Sequence, residues 1–322
     1  MEVGVPAKHF VAAAALVLLA VSCGGSRQKT IAVVPKATSH LFWISVQRGA
    51  MAAGKKLDVN VLWNGPAQET EYDRQIQILD SMIARHVDGI AVAAAERKAL
   101  VQSIDRAASV GIPLTVFDSG VDTTNYLTFI ATDNSEAGRM GARELAKLLN
   151  GKGSIAILMH TPGSQSTMDR ESGFEEVIKK EYPGIQVVAR QYGQSDRSKA
   201  MAAMENILTA HPALDGLFAS SEPSSVGAAL AIKSRGLGGK VKFVAFDSSE
   251  GMIEDLKAGV IHAMVVQDPF KMGFEAVQSL VDKLHGKTPP KRMDLPAHVI
   301  EKQDLDKPEV KELLFAGAQE KK

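Results

Sequence analysis

The 322 residues carry 37 basic and 37 acidic side chains, so no overall field holds the chain on nucleic acid or on an acidic surface. Hydrophobic residues make up 45% of the chain, enough for the cores of two domains. Cys23 is the only cysteine, which excludes an intramolecular disulfide and leaves stability to packed cores.

In chain order, Lys8 and His9 precede an apolar run from Phe10 to Val21, and Ser22 precedes Cys23. The run is shorter than the ~20 residues that span a bilayer, so it reads as a removable signal segment rather than a membrane helix. Leu19 to Ser26, "LAVSCGGS", resembles the bacterial lipoprotein lipobox, in which the cysteine becomes the lipid-bearing N-terminus; the alternative is an ordinary secretory signal followed by a free thiol. The expected units are residues 1–23 as signal and lipobox and 24–29 as a polar tether, with the folded part starting at Thr30.

From there, short β-branched runs alternate with segments of helical period, the pattern of parallel sheets flanked by helices. Strands are expected at Ile31–Val34, Val59–Trp63, Gly89–Ala93 and Leu114–Asp118, with helices at Phe42–Leu57, Thr70–Arg85 and Arg97–Val110. The second half repeats the pattern with strands at Ser154–Met159, Gln186–Ala189, Gly216–Ala219, Lys242–Asp247 and Ala263–Gln267. Helices are expected there at Ser135–Leu149, Thr167–Lys180, Arg197–Ala210, Ser224–Ser234 and Glu250–Ala258. No low-complexity linker divides the halves, so if two α/β domains exist the chain passes between them through ordered segments, with candidate crossings at Ala131–Asp133, Gln267–Pro269 and Pro296–His298. This gives residues 30–132 plus 268–297 as the N-terminal lobe and 133–267 plus 298–322 as the C-terminal lobe.

Ligands of open α/β sheets bind beyond the carboxyl ends of the strands, so the residues that close each run carry the functional signal. "LTVFD" closes on Asp118, "FVAFD" on Asp247, "AMVVQ" on Gln267 and "LFASSE" on Ser220, Ser221 and Glu222. A carboxylate accepts hydrogen bonds from vicinal hydroxyls, which suits a sugar; taken singly, each aspartate also reads as a helix N-cap or turn residue. Arg170 opens a helix, where its charge opposes the helix dipole. Its place suggests a guanidinium forked onto ligand oxygens, or else a surface arginine paired with Asp169 or Glu171. Phe42 and Trp43, side by side after the first strand, suit the apolar face of a sugar ring, with one of the two expected in the core. Trp63 reads as strand packing.

These residues carry a resemblance. "IAVVPKATSHLFWISVQRGA", "GIPLTVFDS", "FIATDNSEAGRMGA", "RESGF", "LTAHPALDGLFASSE" and "VKFVAFDSSEGMIEDLKAGVIHAMVVQDPFKMG" together resemble the periplasmic sugar-binding proteins of the ribose- and galactose-binding type, over about Thr30 to Ile300. The resemblance implies two Rossmann-like lobes joined by three crossovers, a sugar in the cleft and closure about the hinge. It assigns ring stacking to Phe42 and Trp43, hydroxyl binding to Asp118 and Asp247, and a grip on the sugar to Arg170. Gln267 falls at the crossover, and His40 and Ser221 fall where ribose binders carry asparagines. Ser119 stands where they carry an arginine and Ser195 where they carry an aromatic. A charge, a stacking face and an amide are thereby lost, which leaves a hexose, a polyol or another small molecule as open as ribose.

The expected function is a lipid-anchored, monomeric solute receptor for an ABC permease, with a sensory protein presenting its ligand to a membrane receptor or kinase as the alternative. No catalytic Ser-His-Asp or Cys-His arrangement appears, and "GLGGK" lacks the spacing of a phosphate loop, so neither an enzyme nor a cofactor is expected. The eight histidines show no metal-ligand spacing with one another or with Cys23, and no metal is implied.

Overall fold

The computed structural model describes residues 1–4 and 27–315. Residues 5–23 of the expected signal segment, Cys23 among them, and the start of the tether lie outside them. Among the described residues the strands are β1 (Thr30–Val34), β2 (Asn60–Trp63), β3 (Gly89–Val92), β4 (Leu114–Phe117), β5 (Thr128–Thr132), β6 (Gly153–Met159), β7 (Ile185–Tyr192), β8 (Gly216–Ala219), β9 (Lys242–Phe246), β10 (Ala263–Val266), β11 (Arg292–Leu295) and β12 (His298–Glu301). The helices are α1 (Leu41–Leu57), α2 (Tyr72–Ala84), α3 (Val101–Ser109), α4 (Asn134–Leu148), α5 (Gln165–Glu181), α6 (Arg197–Ala210), α7 (Glu222–Ser234), α8 (Glu250–Lys257), α9 (Pro269–Leu284) and α10 (Pro308–Phe315).

The strands form two sheets, ordered β11-β5-β4-β3-β1-β2 and β12-β10-β9-β8-β6-β7. Every pairing is parallel except β12 on β10. Parallel strands are covered on both faces, which is why "GIAV", "LTVF", "GLFA" and "AMVV" are buried throughout. Side chains alternate between faces with period two. Ile31 and Val33 of β1 enter one core while Ala32 and Val34 enter the other, and in the second sheet Ile155 and Ile157 face away from Ala156 and Leu158.

The chain crosses between the sheets three times: from β5 into α4, from β10 into α9, which packs on β3 and β4, and directly from β11 to β12. Asp133 caps α4 by accepting from the Glu136 N–H at 3.0 Å, and Asp268 caps α9 by accepting from the Lys271 N–H at 2.9 Å. Two crossings thus end on fixed helix starts.

The strands expected from β-branched runs are present, and β7 is longer than its expected span. Elements β5, α9, β11, β12 and α10 add to the expectation. In α9, Met272, Ala276, Val277, Leu280 and Val281 are buried at helical spacing. The edge strands "RMDL" and "HVIE" are short and half polar, and their pairing rather than their composition makes them strands.

Two glycine pairs set the closest helix contacts. A Cβ at Gly138 of α4 would overlap the carbonyl of Arg170 on α5, and one at Gly173 would overlap that of Ser135; Gly49 and Gly273 play the same part between α1 and α9. The α4–α5 contact fixes the height of Arg170. Replacing Gly138 by alanine is therefore expected to force the helices apart and to lower stability by about 1–3 kcal/mol in thermal unfolding; an unchanged melting temperature would show that the helices have room to spare.

Candidate ligand site

Where the carboxyl ends of the two sheets face each other, a narrow, partly open chamber is lined by Lys36, His40, Phe42, Trp43, Glu69, Asp118, His160, Ser166, Thr167, Arg170, Ser221, Glu222, Pro223, Asp247 and Gln267. Only about 30 Å³ of it is free, far below the ~300–1,000 Å³ of ligand sites, so the two sheets' ends stand nearly shut on each other and a ring enters only if they part. A larger groove of about 1030 Å³ runs beside it between α1, α8 and α10 and shares Phe42, Asp247 and Gln267. The convergence of buried carboxylates and cations belongs to the chamber.

The strand-end aspartates are built alike. Asp118 (φ 58°) and Asp247 (φ 66°) both sit in the left-handed region, which aspartate tolerates better than most residues. The backbone of each still bonds the neighbouring strand, Asp118 N–H to Ile130 O at 2.9 Å and Asp247 N–H to Val265 O at 2.8 Å. The N-cap alternative fails for both: Ser249 caps α8 after Asp247 by accepting from the Met252 N–H, and no helix follows Asp118 before β5. Strain retained at a chamber wall points to function.

The other expected residues converge as well. Arg170 is buried, not paired at the surface: its Nε donates to Asn134 Oδ1 at 2.7 Å, its Nη1 donates to Ser220 O at 3.1 Å, and its guanidinium lies 3.9 Å over the Phe246 ring. Gln267 accepts from the Thr132 hydroxyl at 2.7 Å and donates to Asp247 Oδ1 at 2.7 Å, tying two crossings together. Of the aromatic pair, Trp43 is the core residue, edge-on to Phe42 and Phe117 and 2% exposed. Phe42 is only partly buried and lines both the chamber and the groove. Trp63 packs half-buried on the first sheet's core.

Three further residues, Lys36, Glu69 and His160, join Glu222 in completing the walls. Lys36, 3% exposed, faces Asp118 Oδ2 at 2.8 Å and donates to Ser166 Oγ at 3.0 Å and Ser164 Oγ at 3.2 Å on the other lobe. Glu69 accepts from the Trp43 indole N–H at 2.8 Å, lies 3.4 Å from His40 Nδ1, and meets His160 Nε2 across the cleft at 2.7 Å. His160 Nδ1 in turn shares a hydrogen bond with the Ser221 hydroxyl at 2.9 Å. Burial pushes the Glu69 carboxyl up, but His160, His40 and Lys36 together hold it well below the usual range. Burial pulls His40 down, yet Glu69 and Glu222 outweigh it and leave its pKa raised. Burial lifts the Asp247 carboxyl against the pull of Arg170.

The same rule that selects Asp118, Asp247 and Glu222 finds these three, since Lys36, Glu69 and His160 follow the ends of β1, β2 and β6. A charge in a loop ordinarily reads as solvated, and the contacts that bury these three, Glu69 with His160 and Lys36 with Ser164 and Ser166, lie across the cleft.

Two lobes closing on a chamber of buried charges define a solute-binding protein rather than an enzyme. The chain belongs to the periplasmic binding protein family, whose domain matches residues 31–288; it is of the type I, ribose- and galactose-binding kind. It is 27% identical over 273 residues to the ribose import binding protein of Bacillus subtilis, covering 85% of this chain and 87% of that one. A carbohydrate transporter solute-binding protein from Agrobacterium radiobacter, solved in complex with D-arabinose, superposes with a TM-score of 0.87 at 33% identity, over 90% of this chain and 99% of that one. A solute-binding protein from Agrobacterium vitis with bound D-fucose superposes with a TM-score of 0.86 at 33% identity, over 88% and 99%.

Behind the chamber, burial pushes the Glu171 carboxyl up to about 7, although its carboxylate accepts from the His160 N–H at 3.0 Å and the Ser220 hydroxyl at 2.8 Å. In the unfolded chain this group titrates near 4.5. Its contribution is therefore fully present below pH 4.5 and is lost as pH rises through about 7, because the folded protein holds a proton that the unfolded chain has released. Glu171→Gln, which keeps the acceptor, is expected to gain up to roughly 3 kcal/mol over wild type between pH 4.5 and 7.5 in denaturant unfolding. Parallel stability curves for the two proteins would contradict the assignment.

Proposed function

We propose that the protein is the solute-binding component of an ABC importer and holds one neutral monosaccharide or polyol in the chamber, with lobe closure on binding. The observation that carries the reading is the pairing of the chamber's charges. Asp118 faces Lys36, Glu222 pairs with Arg197, Asp247 feels Arg170, and both His40 and His160 lie against Glu69, so every carboxylate of the chamber already has a basic group beside it. What remains is a dense set of acceptors and donors beside a half-buried aromatic, which suits a polyhydroxylated, uncharged ring. Similarity to sugar-import and sugar-bound proteins supports the same class.

Phe42 supplies the apolar contact and Asp118 the first lobe's acceptor; Arg170 and Asp247 belong to the second. Gln267 orients Asp247 directly, while His40 beside Glu69 and Ser221 beside His160 position the Glu69–His160 pair that bridges the cleft. Each lobe holds half of the recognition set, so a ligand touching both favours the closed arrangement over the open one. In a thermal-shift panel of D-ribose, D-allose, D-arabinose, D-galactose and xylitol, a sugar at a hundred times its Kd adds about 2.7 kcal/mol of stability. Arg170→Ala and Asp247→Ala are expected to weaken the best binder by about 10- to 100-fold in calorimetry. Wild-type affinity in both variants would place the site elsewhere.

The lipobox-like "LAVSCGGS" supports a mature chain anchored through Cys23, facing the permease from the periplasmic side of a bacterial membrane. Intact-mass analysis of the membrane fraction is expected to return a diacylglycerol-modified N-terminus at Cys23; a chain cleaved there without lipid would remove the anchor and leave the binding function standing.

A further inference from the structure

Among the described residues, four buried side-chain polar atoms accept or donate no hydrogen bond: Asp118 Oδ2, Thr128 Oγ1, Ser195 Oγ and Glu222 Oε2. Two of them are hydroxyls, free to rotate. The other two belong to carboxylates of residues that line the chamber, one on each lobe. Asp118 Oδ2 faces the Lys36 ammonium at 2.8 Å. Glu222 Oε2 has no hydrogen-bond partner at all.

Everything else about Glu222 is fixed. The residue is 1% exposed, its Oε1 is held by the Arg197 guanidinium, and its backbone N–H donates to Asp247 Oδ2 at 3.0 Å. It opens α7 ahead of Pro223, so helix and ring restrict the backbone on the C-terminal side. A first-turn glutamate gains from the helix dipole, but that gain needs no burial and leaves no oxygen stranded. Buried acceptors without a partner are uncommon in folded proteins and call for an explanation. Burial also pushes this carboxyl above its usual range, against the opposing charges of Arg197 and His40.

We propose that Glu222 is a specificity-determining residue of the chamber, whose free carboxylate oxygen accepts a ligand hydroxyl beyond those served by Asp118 and Asp247, with Arg197 as its positioning residue. The inference rests on the sugar reading above and deepens it: the ligand carries a hydroxyl on the side of its ring that meets α7. Arg197 already neutralises Glu222, so the donor is a neutral O–H rather than an ammonium. The residue that follows Glu222 is proline, which leaves the pocket side of this turn without a competing backbone N–H.

The test compares the purified full chain with Glu222→Gln by calorimetry, using sugars paired with their deoxy forms: D-ribose with 2-deoxy-D-ribose, D-galactose with D-fucose, and D-glucose with 2-deoxy-D-glucose. Glutamine keeps the volume and leaves an oxygen for Arg197, so its amide nitrogen replaces the free acceptor. Wild type is expected to prefer one hydroxylated sugar over its deoxy form by about 10- to 100-fold, and Glu222→Gln to lose about tenfold of that ratio while the deoxy sugar binds nearly as before. An unchanged ratio, or an equal loss for both members of every pair, would overturn the proposal, because a merely structural role weakens both alike. Preference for D-galactosamine over D-galactose in wild type would also overturn it, as it calls for a cationic donor. Should Glu222→Gln fail to fold, Arg197→Met reads the same ratio with the carboxylate retained but unpositioned, and the same collapse is expected. Wild-type binding to none of these sugars, with or without their hydroxyls, contradicts the sugar reading itself and takes this inference with it; sugar binding with intact ratios removes this inference alone.

Discussion

A charge taken out of water is tolerated only when another group answers it, and the centre of this protein is governed by that requirement. Lys36, Glu69, Asp118, His160, Arg170, Glu222 and Asp247 are all buried where the two sheets face each other. Several of their partners lie on the opposite lobe: Glu69 meets His160, and Lys36 reaches Ser164 and Ser166. The closed arrangement therefore satisfies groups that an open cleft returns to water. On the proposed reading, closure is a balance between protein pairing and hydration, tipped by a ligand bearing its own hydroxyls.

The fold serves this arrangement by delivering short, rigid strand ends to one place. Buried parallel strands leave their terminal residues as the first positions able to carry a polar group. Asp118 and Asp247 occupy those positions in a left-handed turn that keeps their amides on the sheet and their carboxyls at the chamber. Gln267 then couples the aspartate of one lobe to Thr132 at the first crossing, so the hinge and the site share hydrogen bonds. The glycine contact between α4 and α5 places Arg170 with equal rigidity, since no side chain can stand between those backbones.

Much of this was legible in the chain. Apolar runs of four or five residues marked the buried strands because both faces are covered, and the single polar residue closing "LTVFD", "FVAFD" and "AMVVQ" marked the site. The short edge strands β11 and β12 were not, since "RMDL" and "HVIE" become strands only by pairing. Of the two adjacent aromatics, spacing foretold that one would be core without saying which; the indole bond to Glu69 decides it for Trp43. Lys36, Glu69 and His160 escaped because a loop charge looks solvated until the opposite lobe is in place. Their signal was positional: His160 follows β6 as directly as Asp118 follows β4.

The account turns on a sugar held between the strand-end aspartates of the two lobes. A crystal structure of the protein grown with the strongest stabiliser among the sugars tests this directly. The predicted result is one ring in the chamber, its face toward Phe42 and its hydroxyls on Asp118 from one lobe and on Arg170 and Asp247 from the other. A sugar lying in the groove beside Leu313 and Phe315, or touching a single lobe, would contradict it.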